Sequence, residues 1–370
     1  MSERRRFLAV GTALAGWMSA QVARAQGANA PGAMAHVANG QGESAARPTL
    51  PAGASGPARL APVQGRNFEA FKPADGLSIR LSVWRKQLQN PADALPGPRP
   101  PAPFLFVHGS STAGRASFDL QVPGKPQYSA MDWFARRGYD VWCFDHEGYG
   151  SSDKRRDINA DVATGADDIA AVCDLIRKET GAAKVMMYGI SSGSLRAALY
   201  AERHPDRVAR LALDALVWTG QDSPTLAKRR LQLDEWRAHN RRPLTRALVE
   251  SIFTRDHPGT ADPDVVRAFA DALTGQDNSV PTGTYLDMCA NLPVNDPTRL
   301  PMPTIVMRGE FDGIASFADV LAFFAKLPNA DKHFAVMAGI AHSSMHEKNS
   351  ETVLAILDSF LRQPPPRYLG

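Results

Sequence analysis

The sequence predicts an α/β protein with a doubly wound, mostly parallel sheet and a helical insertion, and three observations support this class. Short, continuous apolar runs recur along the chain, as in strands that are covered on both faces of a parallel sheet. Helical patterns separate these runs, and such alternation is typical of parallel sheets with helices on both faces. One long interval, residues 217–298, has helical patterns but no strong strand.

The predicted strands begin at residues 77–84, where polar and apolar side chains alternate as in a half-buried strand. The continuous apolar runs follow at residues 104–107, 141–144, 185–188, 211–213, 304–307 and 334–337. Helical patterns lie between them at residues 128–137, 166–179, 195–203 and 317–327. Apolar residues spaced by three and four then predict a last helix with one buried face: Val353, Ile356, Leu357, Phe360 and Leu361.

The interval 217–298 predicts a helical cap over a core that consists of residues 66–216 and 299–363. Helical stretches are expected near residues 225–239, 244–254 and 263–273. The first part of the cap, residues 225–246, has seven Lys or Arg against two acidic residues. We interpret this excess as a solvated helix face, and attraction of an anionic substrate is the alternative.

Residues 1–25 are predicted to be an export signal and not part of the fold. Three arginines precede a moderately apolar stretch, and residues 23–25 (Ala-Arg-Ala) have the small-x-small pattern of a signal-peptidase site. Residues 4–8 (Arg-Arg-Arg-Phe-Leu) resemble a twin-arginine signal, which implies export in the folded state. A membrane anchor is the alternative, although the apolar run is short for a spanning helix. We therefore expect a bacterial periplasmic or secreted protein that meets the export machinery transiently and has no stable membrane insertion after cleavage.

Residues 26–65 are predicted to be a flexible linker, because Gly, Pro and Ala dominate and few large apolar side chains offset the ordering entropy. The formal net charge of the chain is +4, and residues 1–25 contribute four arginines against one glutamate. The rest of the chain is thus close to neutral. This balance gives no electrostatic basis for binding nucleic acid, so a small-molecule substrate is the expected partner.

No metal or cofactor is predicted. The three cysteines, Cys143, Cys173 and Cys289, match no metal-site spacing, and no phosphate-binding glycine loop is present in the sequence. We interpret the cysteines as buried free thiols, and one disulfide is the alternative.

Residues 189–193 (Gly-Ile-Ser-Ser-Gly) form a Gly-x-Ser-x-Gly motif between an apolar strand and a helical pattern. A nucleophilic hydroxyl of this kind stands on a sharp turn near a helix N-terminus, where small neighbours let the backbone pass closely. Ser191 has a glycine two positions away on both sides, and Ser192 does not. We predict that Ser191 is the nucleophile and that Ser192 supplies a backbone N–H, with an ordinary loop as the alternative.

Together with this motif, residues 66–363 resemble the α/β-hydrolase superfamily, and further segments fit its pattern in order. Residues 108–110 (His-Gly-Ser) resemble the turn whose next N–H, that of Ser110, completes the oxyanion hole. Residues 309–312 (Gly-Glu-Phe-Asp) resemble the turn with the catalytic acid, and residues 339–342 (Gly-Ile-Ala-His) resemble the loop with the base. The resemblance implies an α/β-hydrolase fold and a triad in the superfamily's chain order: Ser191, Asp312 and His342.

One loop departs from the superfamily's pattern. Residues 145–152 resemble its Asp-x-Arg-Gly-x-Gly-x-Ser loop, but Glu147 stands where Arg is usual. The departure concerns a structural ion pair in this loop and leaves the predicted chemistry unchanged. His108 and His146 are interpreted as residues that stabilise loops.

In the expected mechanism His342 takes the proton of the serine, while Asp312 holds the tautomer of the imidazole and stabilises the imidazolium. Asp214, at the end of an earlier strand, is the alternative acid, as in some members of the superfamily. His333 and His346 are the alternative bases by sequence position. We expect His346 to cap the last helix or to face solvent.

The predicted function is hydrolysis of a carboxylic ester of a small molecule through an acyl-enzyme. A serine nucleophile disfavours the dehalogenases and epoxide hydrolases of the superfamily, in which an Asp stands at this position. Hydrolysis of amides, lactones, thioesters or carbon–carbon bonds and acyl transfer use the same triad, and they are the alternatives. A small-molecule-binding module without catalysis is the least favoured, because the triad is complete.

Overall fold

The computed structural model describes residues 60–367, which form ten strands and eleven helices. The strands are β1 (Val63–Ala74), β2 (Leu77–Leu88), β3 (Phe104–Val107), β4 (Val141–Phe144), β5 (Val185–Ile190), β6 (Val208–Asp214), β7 (Arg241–Pro243), β8 (Ser279–Pro281), β9 (Thr304–Gly309) and β10 (Lys332–Met337). The helices are α1 (Gly114–Phe118), α2 (Ala130–Ala135), α3 (Val162–Thr180), α4 (Ser192–Arg203), α5 (Pro224–Arg230), α6 (Leu233–Ala238), α7 (Arg246–Ser251), α8 (Pro263–Thr274), α9 (Gly283–Leu286), α10 (Phe317–Lys326) and α11 (Ser350–Leu361). The predicted export signal and residues 26–59 of the predicted linker lie outside the described residues.

Eight strands form one sheet in the order β1-β2-β4-β3-β5-β6-β9-β10. The six strands from β4 to β10 in this order are parallel to one another, while β2 pairs antiparallel with both β1 and β4. The predicted doubly wound, mostly parallel sheet is thus confirmed. In the sheet β4 lies on one side of β3 and β5 lies on the other, so the direction of the chain across the sheet reverses at this point. Ligands of open α/β sheets bind at the carboxyl ends of the strands that flank such a reversal.

Strand β4 illustrates why the continuous apolar runs are strands. Val141 and Cys143 belong to the hydrophobic cluster on the sheet face that α2 and α11 cover. Trp142 and Phe144 belong to the cluster on the opposite face, which α3 and α4 cover. Successive side chains of a strand point to opposite faces, so a strand buried on both sides must be apolar at every position.

The sheet begins at Val63, before residue 66, where the core was predicted to start. Strand β1 was not predicted, because it is a sheet edge whose side chains are mostly exposed and lack a regular apolar alternation. One of its few buried side chains is Lys72, which pairs with Glu147 at 2.9 Å and with Asp168 at 2.6 Å. Ion pairing, and not burial of apolar surface alone, therefore fixes this edge.

Glu147 is the residue that departs from the superfamily's loop pattern, and it is itself the centre of an ion-pair network. Arg156 binds its carboxylate through two hydrogen bonds of 2.8 and 2.7 Å, and Lys72 binds it from β1. Nearby, His146 Nδ1 lies 3.0 Å from an oxygen of Asp168, and the backbone N–H of His146 donates to Nε2 of His108 at 3.1 Å. These contacts fit the interpretation of both histidines as residues that stabilise loops.

Between β6 and β9 the chain forms α5 to α9 and the short antiparallel pair β7–β8; we keep the name cap for this predicted segment. The predicted helical stretches are present. The β7–β8 pair was missed, because two three-residue strands with Pro and Arg carry no periodic signal. In α8 the buried residues Val265, Phe269 and Leu273 recur every four positions and pack with apolar residues of α1 and α7.

All three cysteines are buried free thiols, as expected from their apolar surroundings. Within residues 60–367, none of the helices combines the length and the hydrophobicity that a membrane span requires.

Candidate active site

Ser191 occupies the turn between β5 and α4 with φ 57° and ψ −125°. A backbone conformation of this kind costs a non-glycine residue about 1–3 kcal/mol, so surrounding contacts must hold it. The Ser191 N–H donates to the Asp214 carbonyl at 2.9 Å, and the Ser194 hydroxyl donates to the Gly189 carbonyl at 2.7 Å. The backbone on both sides of Ser191 is thus tied to the neighbouring strand and to the helix.

The two glycines of the motif permit this turn because backbone segments touch there. A Cβ at Gly189 would lie 2.5 Å from the Gly193 carbonyl oxygen, and a Cβ at Gly193 would lie 2.4 Å from the Val107 carbonyl oxygen. Both distances are below any normal carbon–oxygen contact. The close packing of β3, β5 and α4 therefore requires glycine at these two positions, as the sequence predicts.

Asp312 and His342 are brought together by the loops that follow β9 and β10. His342 Nδ1 lies 3.0 Å from both carboxylate oxygens of Asp312. The N–H groups of Ile314 and Ala315 donate to Asp312 Oδ1 at 2.8 and 3.0 Å. Burial raises the pKa of Asp312, but the charge and hydrogen bond of His342 and the two backbone donors outweigh it, so this pKa lies below its ordinary value. Asp312 is therefore a carboxylate, and it accepts a hydrogen bond from the Nδ1–H group of His342.

Asp214, the alternative acid, is engaged elsewhere. Its carboxylate accepts hydrogen bonds from the Tyr188 hydroxyl at 2.7 Å and from the Ser344 hydroxyl. Burial raises the pKa of Asp214 to about 6. Asp214 makes no hydrogen bond to His342 within the described part of the chain, so the geometry favours Asp312 as the partner of the imidazole.

A cleft of about 640 Å³, part of it open to solvent, lies beside the turns that follow β3 and β5. Ser191, His342 and Ser110 line it together. The hydroxyls of Ser110 and Ser192 are 2.8 Å apart, and Ser110 also bonds the Thr284 hydroxyl of the cap at 2.6 Å. Among residues 60–367, the backbone N–H groups of Ser110 and Ser192 bond to no protein acceptor, so both are free to bind a ligand.

The expectation for His346 was wrong, because this residue neither caps α11 nor faces solvent. Asn349 is the N-cap of α11, and His346 is only 4% exposed. Its ring packs against Phe269 with 4.4 Å between ring centroids and lines the same cleft. Burial lowers the pKa of His346 to about 4, so the ring is neutral at pH 7. Its position depends on the cap, which sequence spacing does not reveal.

His333, the other alternative base, does not line this cleft. It is the second residue of strand β10, whereas the cleft borders the loop after the opposite end of the strand. Its Nε2 lies 3.2 Å from Asp331, and the ring is partly exposed. Neither contact connects it with Ser191.

The cap contributes Arg229, Arg255 and Tyr285 to the cleft, and sequence reasoning did not name them as site residues. The expected solvated helix face describes Arg237 and Arg246, which are about half exposed and pair with acidic residues. It does not describe Arg229, which is only partly exposed. The excess of basic residues in the cap was the available sequence signal. Charge alone does not show whether an arginine faces the solvent or the cleft.

One group of potential metal ligands occurs among the described residues, and it consists of Asp256, Asp312 and His342. Both oxygens of Asp256 already accept hydrogen bonds from Arg255, at 2.8 and 2.7 Å. Asp312 is bonded to His342 and to two backbone N–H groups. All three side chains thus have partners within the protein, and their arrangement indicates a hydrogen-bonded cluster and not a preformed metal site.

A serine on a strand–turn–helix elbow, at the edge of a mostly parallel sheet and beside an Asp–His pair, defines an α/β hydrolase. The chain belongs to the family described as serine aminopeptidase, S33, whose model matches residues 126–349, more than half of the chain. The predicted membership in the α/β-hydrolase superfamily is therefore confirmed, and the protein is a hydrolase by family.

Solved structures agree on the fold. A thermophilic esterase from Thermogutta terrifontis is 20% identical, with a TM-score of 0.56, covering 80% of this chain and 98% of that one. An enol-lactonase from Burkholderia xenovorans LB400 is 17% identical, with a TM-score of 0.54 and coverage of 79% and 100%. An epoxide hydrolase from Vigna radiata is 17% identical, with a TM-score of 0.57 and coverage of 81% and 98%. At such identities the likeness concerns the fold alone.

Proposed function

We propose that this hydrolase cleaves a carboxylic ester of a small molecule through an acyl-enzyme formed on Ser191. The observation that carries the proposal is the strained Ser191 in one cleft with His342, whose Nδ1 is held by both oxygens of Asp312. A hydroxyl is a weak nucleophile until a base removes its proton. The carboxylate supports an imidazole with its proton on Nδ1, which leaves Nε2 free to act as that base.

In the proposed reaction Ser191 attacks the ester carbonyl as His342 takes its proton, and His342 then returns the proton to the leaving alcohol. A water molecule, activated by the same imidazole, releases the acid from Ser191. The negative oxygen that forms in each step would be bound by the backbone N–H groups of Ser192 and Ser110, which face no protein acceptor in the described structure. Each such donor contributes roughly 3–4 kcal/mol to transition-state binding where it has been measured.

The charge of the cleft bears on the type of substrate. An aminopeptidase must bind a substrate with a free ammonium group, and a carboxylate of the protein is the natural partner of that group. Among the described residues that line the cleft there is no Asp or Glu, but Arg229 and Arg255 are present. This favours an ester over an aminopeptidase substrate. Lactones, thioesters, other amides, carbon–carbon bonds and acyl transfer are the alternatives that use the same triad.

The test is hydrolysis of para-nitrophenyl esters by the mature protein and by two adjacent serine variants. We expect Ser191→Ala to lower kcat by several orders of magnitude, because the triad fails without its nucleophile. Ser192→Ala should retain most of the activity, since its backbone donor is unchanged. Equal losses in the two variants would contradict the assignment. Absence of turnover with esters, thioesters, lactones and amides would favour the binding module.

We also propose that the protein acts in the periplasm or outside the cell after export through the twin-arginine route. The support is the sequence of residues 1–25 alone. Replacing Arg4 and Arg5 with Lys should leave the precursor in the cytoplasm, as measured by fractionation and by the size of the chain. Normal processing after Ala25 in this variant would indicate ordinary secretion instead.

A further inference from the structure

Three cap residues from different elements meet at the wall of the cleft. Tyr285 lies in α9, Arg229 in α5 and Arg242 in β7. The guanidinium carbon of Arg229 is 4.1 Å from the centre of the Tyr285 ring, and that of Arg242 is 3.8 Å from it. Both distances are typical of cation–π contacts. The aromatic ring thus holds Arg229, which lines the cleft with the proposed catalytic residues, and Arg242, which contacts the same ring.

These two arginines have no acidic partner among the residues that the structure describes. Arg255, the third arginine near Tyr285, is paired with Asp256 at 2.7 Å. Within residues 60–367, by contrast, no carboxylate lies within 4.0 Å of Arg229 or Arg242. Arg242 donates to the Ser111 hydroxyl, but its Nε is buried and has no acceptor in the described part of the chain. The Arg229 guanidinium makes no hydrogen bond to the described part of the protein, so all its donors are available to a ligand.

The hydroxyl of Tyr285 responds to this uncompensated charge. Burial raises its pKa, but the charges of Arg229 and Arg242, a hydrogen bond with Ser111 and the charge of Arg255 outweigh it and lower the pKa to about 7. The positive charges that stabilise a phenolate relative to a neutral phenol also stabilise a bound carboxylate. The wall of the cleft is therefore positive and partly desolvated, and this strengthens binding of an anion.

Arg229 stands at the junction of two clefts. It lines the cleft that contains Ser191, and it also lines an outer cleft of about 1030 Å³, part of it open to solvent, on the cap side. Ile252 lines both clefts as well, and Phe269 lines the inner one. A ligand with an apolar middle segment would contact these side chains while its charged end reached the guanidinium.

We propose that Arg229 binds a carboxylate of the substrate, so that the preferred substrates are esters that carry a second, ionised carboxylate group. The proposal rests on the proposed function, because it specifies the substrate of the same site. A guanidinium presents two parallel N–H donors that match the two oxygens of a carboxylate. Arg242, held by Tyr285 and Ser111, adds positive charge behind it. The hydrolysis products would then be an alcohol and an acid, one of which keeps the second carboxylate.

The test compares anionic esters with neutral esters of the same shape. Monoethyl esters of the dicarboxylic acids from succinic to suberic acid are compared with ethyl alkanoates of equal length, which places the charge on the acyl side. Para-acetoxybenzoate is compared with para-acetoxybenzamide, which places it on the alcohol side. For at least one of these comparisons we expect kcat/KM to be roughly 10- to 100-fold higher for the anionic ester. One hydrogen bond between charged groups supplies binding energy of this size.

The decisive variant is Arg229→Gln, for which the ratio of kcat/KM between anionic and neutral ester should fall by the same factor, mainly through KM. Arg229→Lys should give an intermediate ratio. Arg237→Gln removes the same charge from an exposed position in α6 and should leave the ratio unchanged. If neutral esters are hydrolysed and the ratio of kcat/KM between anionic and neutral ester is the same in the wild type and in Arg229→Gln, the inference is wrong. The proposed function would then still stand.

A second measurement separates the inference from catalysis. Glutarate is titrated calorimetrically into Ser191→Ala and into the double variant Ser191→Ala/Arg229→Gln. Binding that weakens roughly 10-fold or more in the double variant supports the carboxylate site even if no ester is hydrolysed. Equal binding, or none in either variant, counts against it. Thermal midpoints of all variants establish that they are folded.

Discussion

The Asp312→Asn variant tests the proposed triad at the residue whose environment the structure describes most fully. The N–H groups of Ile314 and Ala315 both donate to Oδ1, so the oxygen of an asparagine must take that position. Its NH₂ group then replaces Oδ2, which lies 3.0 Å from His342 Nδ1. Oδ1 is also 3.0 Å from Nδ1, but it already accepts two backbone N–H groups, so the new donor at the Oδ2 position favours an imidazole without a proton on Nδ1.

The consequence is the wrong tautomer at the reacting atom. With its proton on Nε2, His342 would face Ser191 with a donor and could not act as the base, and the imidazolium would lose a carboxylate partner. We therefore expect kcat for a para-nitrophenyl ester to fall by roughly 10⁴-fold, the size of this effect in a well-studied serine protease. The thermal midpoint reports whether the variant is folded.

Asp214→Asn is the matched control, because it makes the same chemical change on another buried acid near the elbow. The amide oxygen still accepts hydrogen bonds from Tyr188 and Ser344, and no contact with His342 is lost. Its kcat should change by about threefold or less, since the catalytic unit is intact. An active Asp312→Asn enzyme beside an inactive, folded Asp214→Asn enzyme would refute the reasoning.

Three further predictions concern the base, the buried acid and the cap. His342→Ala should abolish ester turnover. His346→Ala should keep at least about a tenth of the turnover in an end-point assay, because the His346 ring is neutral, only lines the cleft and does not transfer the proton. Because the pKa of Asp214 is raised to about 6, the stability that its neutral form provides is complete below about pH 4 and is lost as the pH rises through 6. The Asp214→Asn protein should accordingly gain up to roughly 3 kcal/mol over the wild type in urea unfolding at pH 7, and no gain there would contradict the pKa argument. Gly313→Ala should lower the free energy of unfolding by about 1–3 kcal/mol, because a Cβ would lie 2.6 Å from Asp256 Oδ1 of the cap; an unchanged value would show that this contact yields freely.

Sequence predicts best those parts of the fold in which packing permits only one kind of residue at each position. Strands β3 and β4 coincide with the predicted runs 104–107 and 141–144, because burial on both faces demands apolar residues throughout. The Gly-x-Ser-x-Gly turn was predictable for a similar reason, since contacts shorter than 3 Å exclude any side chain at its glycines. Strand β1 was not, because an exposed edge held partly by Lys72 imposes no such pattern.

The cap is the part of the fold that sequence predicts least well, and it contains the residues that we propose to select the substrate. Arg229 and Arg237 are both basic residues of short cap helices, and they have equal weight in the charge count of the sequence. Arg237 pairs with Asp234 at the surface, whereas Arg229 lies over the Tyr285 ring beside Ser191. The difference arises because α5 and β7 bring Arg229 and Arg242 against the Tyr285 ring of α9. Local motifs therefore identify the proposed chemistry, while long-range packing of the cap positions the arginines that we propose to select the substrate.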